Sequence, residues 1–115
     1  MINNIQAMIA NVRVGDLEQA IPLYKELAGD PEVLRFPYKD FQLALVGPFL
    51  LVSGPHDENI AQNATVLVDS LDAVLAALEK AGANIIDAPT EVPNGTRLVA
   101  QHPDGSVFEY LQPRT

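Results

Sequence analysis

The chain has no cysteine and no tryptophan, only two histidines, and seven lysines and arginines against fifteen acidic residues. Without a thiol there is no disulfide, no thiolate nucleophile and no cysteine-ligated zinc. Seven cations in a chain of net charge −8 do not build the basic face that phosphate contacts need, which argues against nucleic acid as a partner. No apolar run approaches the roughly 18 residues of a membrane span, so no membrane partner is expected. The opening MINNIQAM lacks the basic stretch and apolar core of a secretion signal, and a cytoplasmic location is the expectation. The acidity reads first as a solubility device, with a cationic ligand as the compatible partner.

What is present is an ordinary globular composition, 48% hydrophobic over 115 residues, enough for one domain with its own core. Two segments carry helical periodicity. Leu17, Ala20, Ile21, Tyr24 and Leu27 form one stripe, entered from Asp16 and closed by Gly29. Leu71, Val74, Leu75, Leu78 and Ala81 form the other, entered from Ser70 and closed by Gly82. Each residue of the second stripe lies 54 positions after its counterpart, so the two helices repeat one pattern. Pro22 removes a backbone hydrogen bond from the first helix and is expected to disturb its course.

A strand-like run precedes each helix, MIANVRV and NATVLV, and extended segments follow it: VLRFPY then LALVGPFLLVSGP, and NIIDAP then LVAQHPDGSVFEYLQP. Setting Gly47 on Gly105 brings Pro55 onto Pro113, an offset of 58, which predicts about four extra residues between helix and hairpin in the second copy. The expected architecture is α+β: two tandem βαβββ modules, the first over about 1–54, the second over about 63–115, joined by a polar linker over about 55–62. In the first strand Ala10, Val12 and Val14 alternate with Ile9, Asn11 and Arg13. In the fifth, Ala64, Val66 and Val68 alternate with Asn63, Thr65 and Leu67. The small and β-branched set suits a helix. The mixed set suits either a ligand-facing surface or a second sheet.

These segments resemble the vicinal oxygen chelate superfamily of glyoxalase I, extradiol dioxygenases and the bleomycin and fosfomycin resistance proteins. The likeness rests on NVRVGDLEQAIPLY, VLVDSLDAVLAALEKAGANII and HPDGSVFEYLQ, in that order, over nearly the whole chain. It implies a single domain whose mixed sheets curl around a concave cleft, commonly completed in a homodimer. In metal-dependent members of the superfamily, residues on the first and last strands of each module hold the ion. The resemblance, with the offsets 54 and 58, puts Ile9, Leu51, Asn63 and Glu109 at those positions. Two aliphatic side chains donate no lone pair and Asn is a poor ligand for a transition metal, so neither a metal nor any other cofactor is expected.

Glu109 is then a carboxylate between Val107 and Leu111 on an apolar face, in need of a partner. Arg13 on the same face as an internal counter-ion, a cationic ligand, and metal-free general-base chemistry are three readings of it. His102 is either a cleft residue or part of the Pro103-Asp104-Gly105 turn, and His56 belongs to the polar linker. Phe36, Tyr38 and Phe49 either stack on a flat ligand or fill the core. The expected ligand-binding set is Ile9, Asn11, Arg13, Phe36, Tyr38, Phe49, Leu51, Asn63, Thr65, His102, Glu109 and Leu111. The function that the resemblance and the vacated metal positions imply is sequestration of an aromatic or cationic natural-product antibiotic, as in bleomycin resistance. The alternative is a lyase, isomerase or dioxygenase of the same superfamily with an unorthodox metal site or Glu109 and His102 as acid and base. An accessory domain with a closed cleft is a third class.

Overall fold

A computed structural model of the chain describes residues 3–55 and 64–114. Both predicted helices form. Helix α1 spans Leu17–Leu27, and the Asp16 side chain caps it by accepting from the Gln19 amide at 3.1 Å. Helix α2 spans Leu71–Ala81, with the Ser70 hydroxyl accepting from the Ala73 amide at 3.2 Å. Acidic Glu18 and Asp72 stand in the first turns and basic Lys25 and Lys80 in the last, which suits both ends of the helix dipole. Gly82, left-handed at φ 76°, closes α2. The helix α1 runs through Pro22. Both Pro22 and Glu18, whose carbonyl loses its helical partner there, are exposed, so the lost bond falls on the solvent side of the helix.

The strands are β1 Ile5–Arg13, β2 Val33–Tyr38, β3 Phe41–Val46, β4 Phe49–Ser53, β5 Ala64–Val68, β6 Asn84–Val92, β7 Gly95–Gln101 and β8 Val107–Pro113. The described residues fall into two compact units, 9–55 and 3–8 with 64–114. In the first unit the strand order is β2-β3-β4-β1, with β1 parallel to β4 and the other pairs antiparallel. Its core is Ile21 from the helix against Ala44, Val46 and Leu51, with Val12, Val14, Leu17, Ala20, Tyr24, Val33 and Phe49 packed around them. In the second unit the order is β5-β8-β7-β6, with β5 parallel to β8. Leu71, Val74 and Leu78 of α2 pack there on Val66, Val68, Leu98 and Ala100, flanked by Phe108 and Tyr110.

Residues 3–8 lie in the second unit because Asn4 is bonded to the entry of α2. Its side chain accepts from the Ser70 amide at 2.8 Å and donates to the Ser70 carbonyl at 2.9 Å, and its carbonyl accepts from the Asp69 amide. The Leu71 amide, one of the first orphan donors of α2, is met by the Gln112 side chain at 2.7 Å.

The hairpin offset differs from expectation. Ala44 and Val46 of β3 face their helix as Leu98 and Ala100 of β7 do, still 54 positions apart. On the next strands the helix-facing pairs are Phe49 and Leu51 against Phe108 and Tyr110, 59 apart. The extra residues therefore number five, and they lie inside the hairpin. Two residues, 47 and 48, join β3 to β4, while 102–106 join β7 to β8. The His102 amide donates to the Ser106 carbonyl, the Gly105 amide donates to the His102 carbonyl, and Asp104 accepts from the Ser106 amide at 2.9 Å, which makes the longer turn self-contained. That bond to Ser106 holds the Asp104 carboxyl below its ordinary pKa.

Gly95 opens β7 at φ 153°, and a methyl group there would meet the Gln112 carbonyl oxygen at 2.1 Å. Gly105, at φ 95°, has nothing near its open side. Gly95→Ala is therefore expected to lower stability by more than about 2 kcal/mol and Gly105→Ala by about 1 kcal/mol, the cost of the backbone alone. Urea denaturation midpoints of the two variants check the order.

Candidate functional site

Because Leu98, Ala100, Phe108 and Tyr110 face α2, their neighbours Arg97, Val99, Glu109 and Leu111 occupy the helix-free face of the second unit. Thr65 joins them, since it pairs with Glu109 across the parallel β5–β8 register. Glu109 accepts from the Thr65 hydroxyl through Oε1 at 3.0 Å and from Arg97 Nε through Oε2 at 2.8 Å. Arg97 pairs with Leu111, two residues along β8, so it meets Glu109 on the diagonal that long side chains bridge. Both side chains are 19% exposed, Thr65 is 4% exposed, and Val99 beneath them is fully buried. On the other side Arg97 Nη1 stands 3.9 Å from Asp87 Oδ2, beyond hydrogen-bond range, with Asp87 half exposed on a strand broken by two register shifts.

The counter-ion of Glu109 is therefore Arg97, a residue absent from the expected site, and not Arg13. Arg13 donates to the carbonyls of Gly54, at 3.0 Å, and Pro55 within its own unit. The expected placement of Leu51 and Phe49 on the ligand-facing side is also corrected. Leu51 is fully buried under α1, and the Phe49 ring meets Tyr24 edge-on at 4.9 Å. Leu50, paired with Asn11, takes the helix-free position, and the offset of 59 makes it the counterpart of Glu109. His102 turns to the side of β8 that carries Phe108 and Tyr110. Its Nε2 lies 2.6 Å from the Tyr110 hydroxyl and its ring 4.8 Å from that of Phe108. Burial raises the pKa of the Tyr110 phenol, so it stays protonated there.

Phe36 and Tyr38 lie opposite Leu43 and Phe41 on the helix-free face of the first unit, 42% and 38% exposed beside Leu34. Alternation along β1 puts Ile9, Asn11 and Arg13 on that face too, since Val12 packs under the helix. Asn63 and His56 lie outside the described residues. An open depression of about 350 Å³ at the start of α1 is lined by Asp16, Glu18, Arg35, Gln42 and Ser53, and touches none of the expected ligand-binding residues. The described residues do not fit a metal. Ile9 and Leu50 offer no donor, the Glu109 carboxylate is already charge-paired with Arg97, and no three His, Cys, Asp or Glu residues converge among the described residues. No described helix is long and apolar enough to cross a membrane.

Comparison with solved structures places this fold. A methylmalonyl-CoA epimerase from Mycobacterium tuberculosis superposes with a TM-score of 0.76 at 19% identity, over 100% of this chain and 94% of that one. A variant of the Streptomyces coelicolor methylmalonyl-CoA epimerase, in complex with 2-nitronate-propionyl-CoA, gives 0.71 at 15% identity over the full length of both. At such identities the likeness establishes the fold, two βαβββ modules, which is the fold that the sequence resemblance implied. An uncharacterized protein from Methanosarcina mazei is 36% identical over 97% of this chain and 95% of its own, with a TM-score of 0.82, and the chain belongs to the same family as that protein. No protein-family model and no curated protein matches the chain.

Removing either partner of the Arg97–Glu109 pair leaves the other charge three-quarters or more out of water. Arg97→Met and Glu109→Leu are each expected to lower stability by about 2 kcal/mol, less than for a fully buried pair because each side chain keeps some contact with water. The double variant is expected to lose less than the two losses added. A double-mutant cycle in urea measures the coupling, and simple additivity would show that the pair contributes nothing.

Proposed function

We propose that the protein is a metal-independent binding protein that holds an apolar, aromatic small molecule without altering it, and that its natural ligand is an antibiotic-like natural product. The observation that carries this reading is the conversion of the metal positions. Ile9 and Leu50 are aliphatic, and the carboxylate that remains, Glu109, is held by Arg97 and Thr65. The exposed Leu34, Phe36 and Tyr38 on the helix-free face of the first unit support it, because aromatic side chains bind flat ligands with little loss of side-chain freedom. The charge of Glu109 is met internally, which removes the main reason to expect a cationic ligand. Pairing of two copies belongs to this reading through the resemblance alone.

A second reading, an enzyme of this fold, is favoured by the full-length similarity to the epimerases. It needs a base or a metal, and Glu109 is charge-paired with Arg97, with no cluster of three His, Cys, Asp or Glu residues among the described residues. Calorimetric titration with bleomycin-type glycopeptides and other flat aromatic antibiotics is expected to give a dissociation constant in the micromolar range or below. That binding is expected to be weakened about tenfold by Phe36→Ala with Tyr38→Ala and left unchanged by chelators. Stoichiometric zinc, nickel, iron or manganese in protein purified without chelator, or turnover of methylmalonyl-CoA, would favour the enzyme.

A further inference from the structure

The turn that joins β6 to β7 is Pro93-Asn94, and Gly95 follows it. We propose that Asn94 is a site of spontaneous covalent change, at which the side-chain amide leaves as ammonia and the residue becomes isoaspartate, releasing the end of β8. The site lies wholly in the second unit, and its chemistry is independent of any ligand.

An asparagine before a glycine is a step at which the chain can attack itself, because no Cβ hinders the next backbone nitrogen. The Gly95 nitrogen gives its proton to solvent, bonds to Asn94 Cγ and expels ammonia, closing a succinimide. One water then opens the ring. Opening at the former side-chain carbonyl gives aspartate. Opening at the main-chain carbonyl gives isoaspartate, whose backbone is longer by one methylene.

The structure leaves Asn94 available for this. Its side chain is exposed and makes no hydrogen bond among the described residues. Pro93 fixes φ at about −65°, and Asn94 is not at positive φ, so the turn is neither of the primed types that match the twist of paired strands. Arg114 holds it instead, its amide donating to the Asn94 carbonyl at 3.0 Å and Nη2 to the Val92 carbonyl at 3.0 Å. Asp104-Gly105 is the other step in the chain with an acid or amide before glycine. There the carboxyl accepts from the Ser106 amide at 2.9 Å, which favours the ionised form that has no hydroxyl to expel.

The consequence follows from what surrounds Gly95. It stands opposite Pro113 with no room beside the Gln112 carbonyl, and the Gln112 side chain meets the Leu71 amide at 2.7 Å. A methylene inserted before Gly95 moves the Asn94 carbonyl off the Arg114 amide and Gly95 off Gln112. The loss therefore runs from the turn to the end of β8 and the entry of α2.

The full chain is held in mildly alkaline buffer at physiological temperature and then cleaved after Lys80 and Arg97, which puts Asn94 in one peptide with Asn84, the residue before Ile85. The mass change reports deamidation, and labelling with an isoaspartyl methyltransferase reports isoaspartate. Asn94 is expected to convert at least tenfold faster than Asn84, whose neighbour is β-branched, and than Asp104 isomerises. Arg114→Ala, which removes the guanidinium bond, is expected to speed conversion several-fold. The isoaspartate form is expected to unfold at lower urea concentration than Asn94→Asp, which has the same charge without the methylene. Conversion no faster than at Asn84 or Asp104, a rate unmoved by Arg114→Ala, or isoaspartate chains as stable as Asn94→Asp overturns the proposal.

Discussion

Each four-stranded sheet has one face covered by a helix, and which face that is settles the place of every other side chain. Leu51 and Val46 under α1, and Leu98 and Val68 under α2, are fully buried. Burying side chains of this size contributes about 1.5–3 kcal/mol each, so a slip of one residue in any of these strands would forfeit several such terms at once. The strands are therefore locked in register by apolar contact with the helix. Glu109, Arg97 and Phe36 stand on the helix-free side because their sequence neighbours cannot stand there.

This explains what could be read from the sequence. The two helices, their caps and the offset of 54 between them follow from periodicity and cap chemistry, and the structure carries all of them; that the same offset runs on through β3 and β7 was not read, because the extra residues were placed between helix and hairpin. The error entered at one turn. Matching Gly47 with Gly105 treated the two turn glycines as equivalent, but the His102–Ser106 turn holds five residues where Gly47-Pro48 holds two. The resulting offset, 58 in place of 59, is a slip of one residue, and because side chains alternate it exchanged Leu50 for Leu51 and drew Phe49 to the wrong face. Turn length depends on hydrogen bonds such as that from the Ser106 amide to Asp104, which apolar patterning does not report.

Arg97 was missed for a related reason. Its partner stands twelve positions on in sequence but on the diagonal of an antiparallel pair, and the diagonal is known only once the turn is counted. The available signal was local. Leu98 and Ala100 read as a helix-facing pair, which assigns Arg97 and Val99 to the face of Glu109. A carboxylate on an apolar face demands compensation, and an arginine on the adjacent strand of that face is a stronger candidate than one on the first strand of the chain.

The ion pair also bears on what this version of the fold can do. A metal at Glu109 would need its lone pairs pointed at the ion together with other donors, and no three His, Cys, Asp or Glu residues converge among the described residues. Both oxygens of Glu109 accept hydrogen bonds from the protein itself. A guanidinium 2.8 Å from a carboxylate competes directly with a cation for the same oxygens. The arginine that meets the Glu109 carboxylate makes an internally neutral pair with it on the helix-free face, and Thr65 completes the satisfaction of its oxygens.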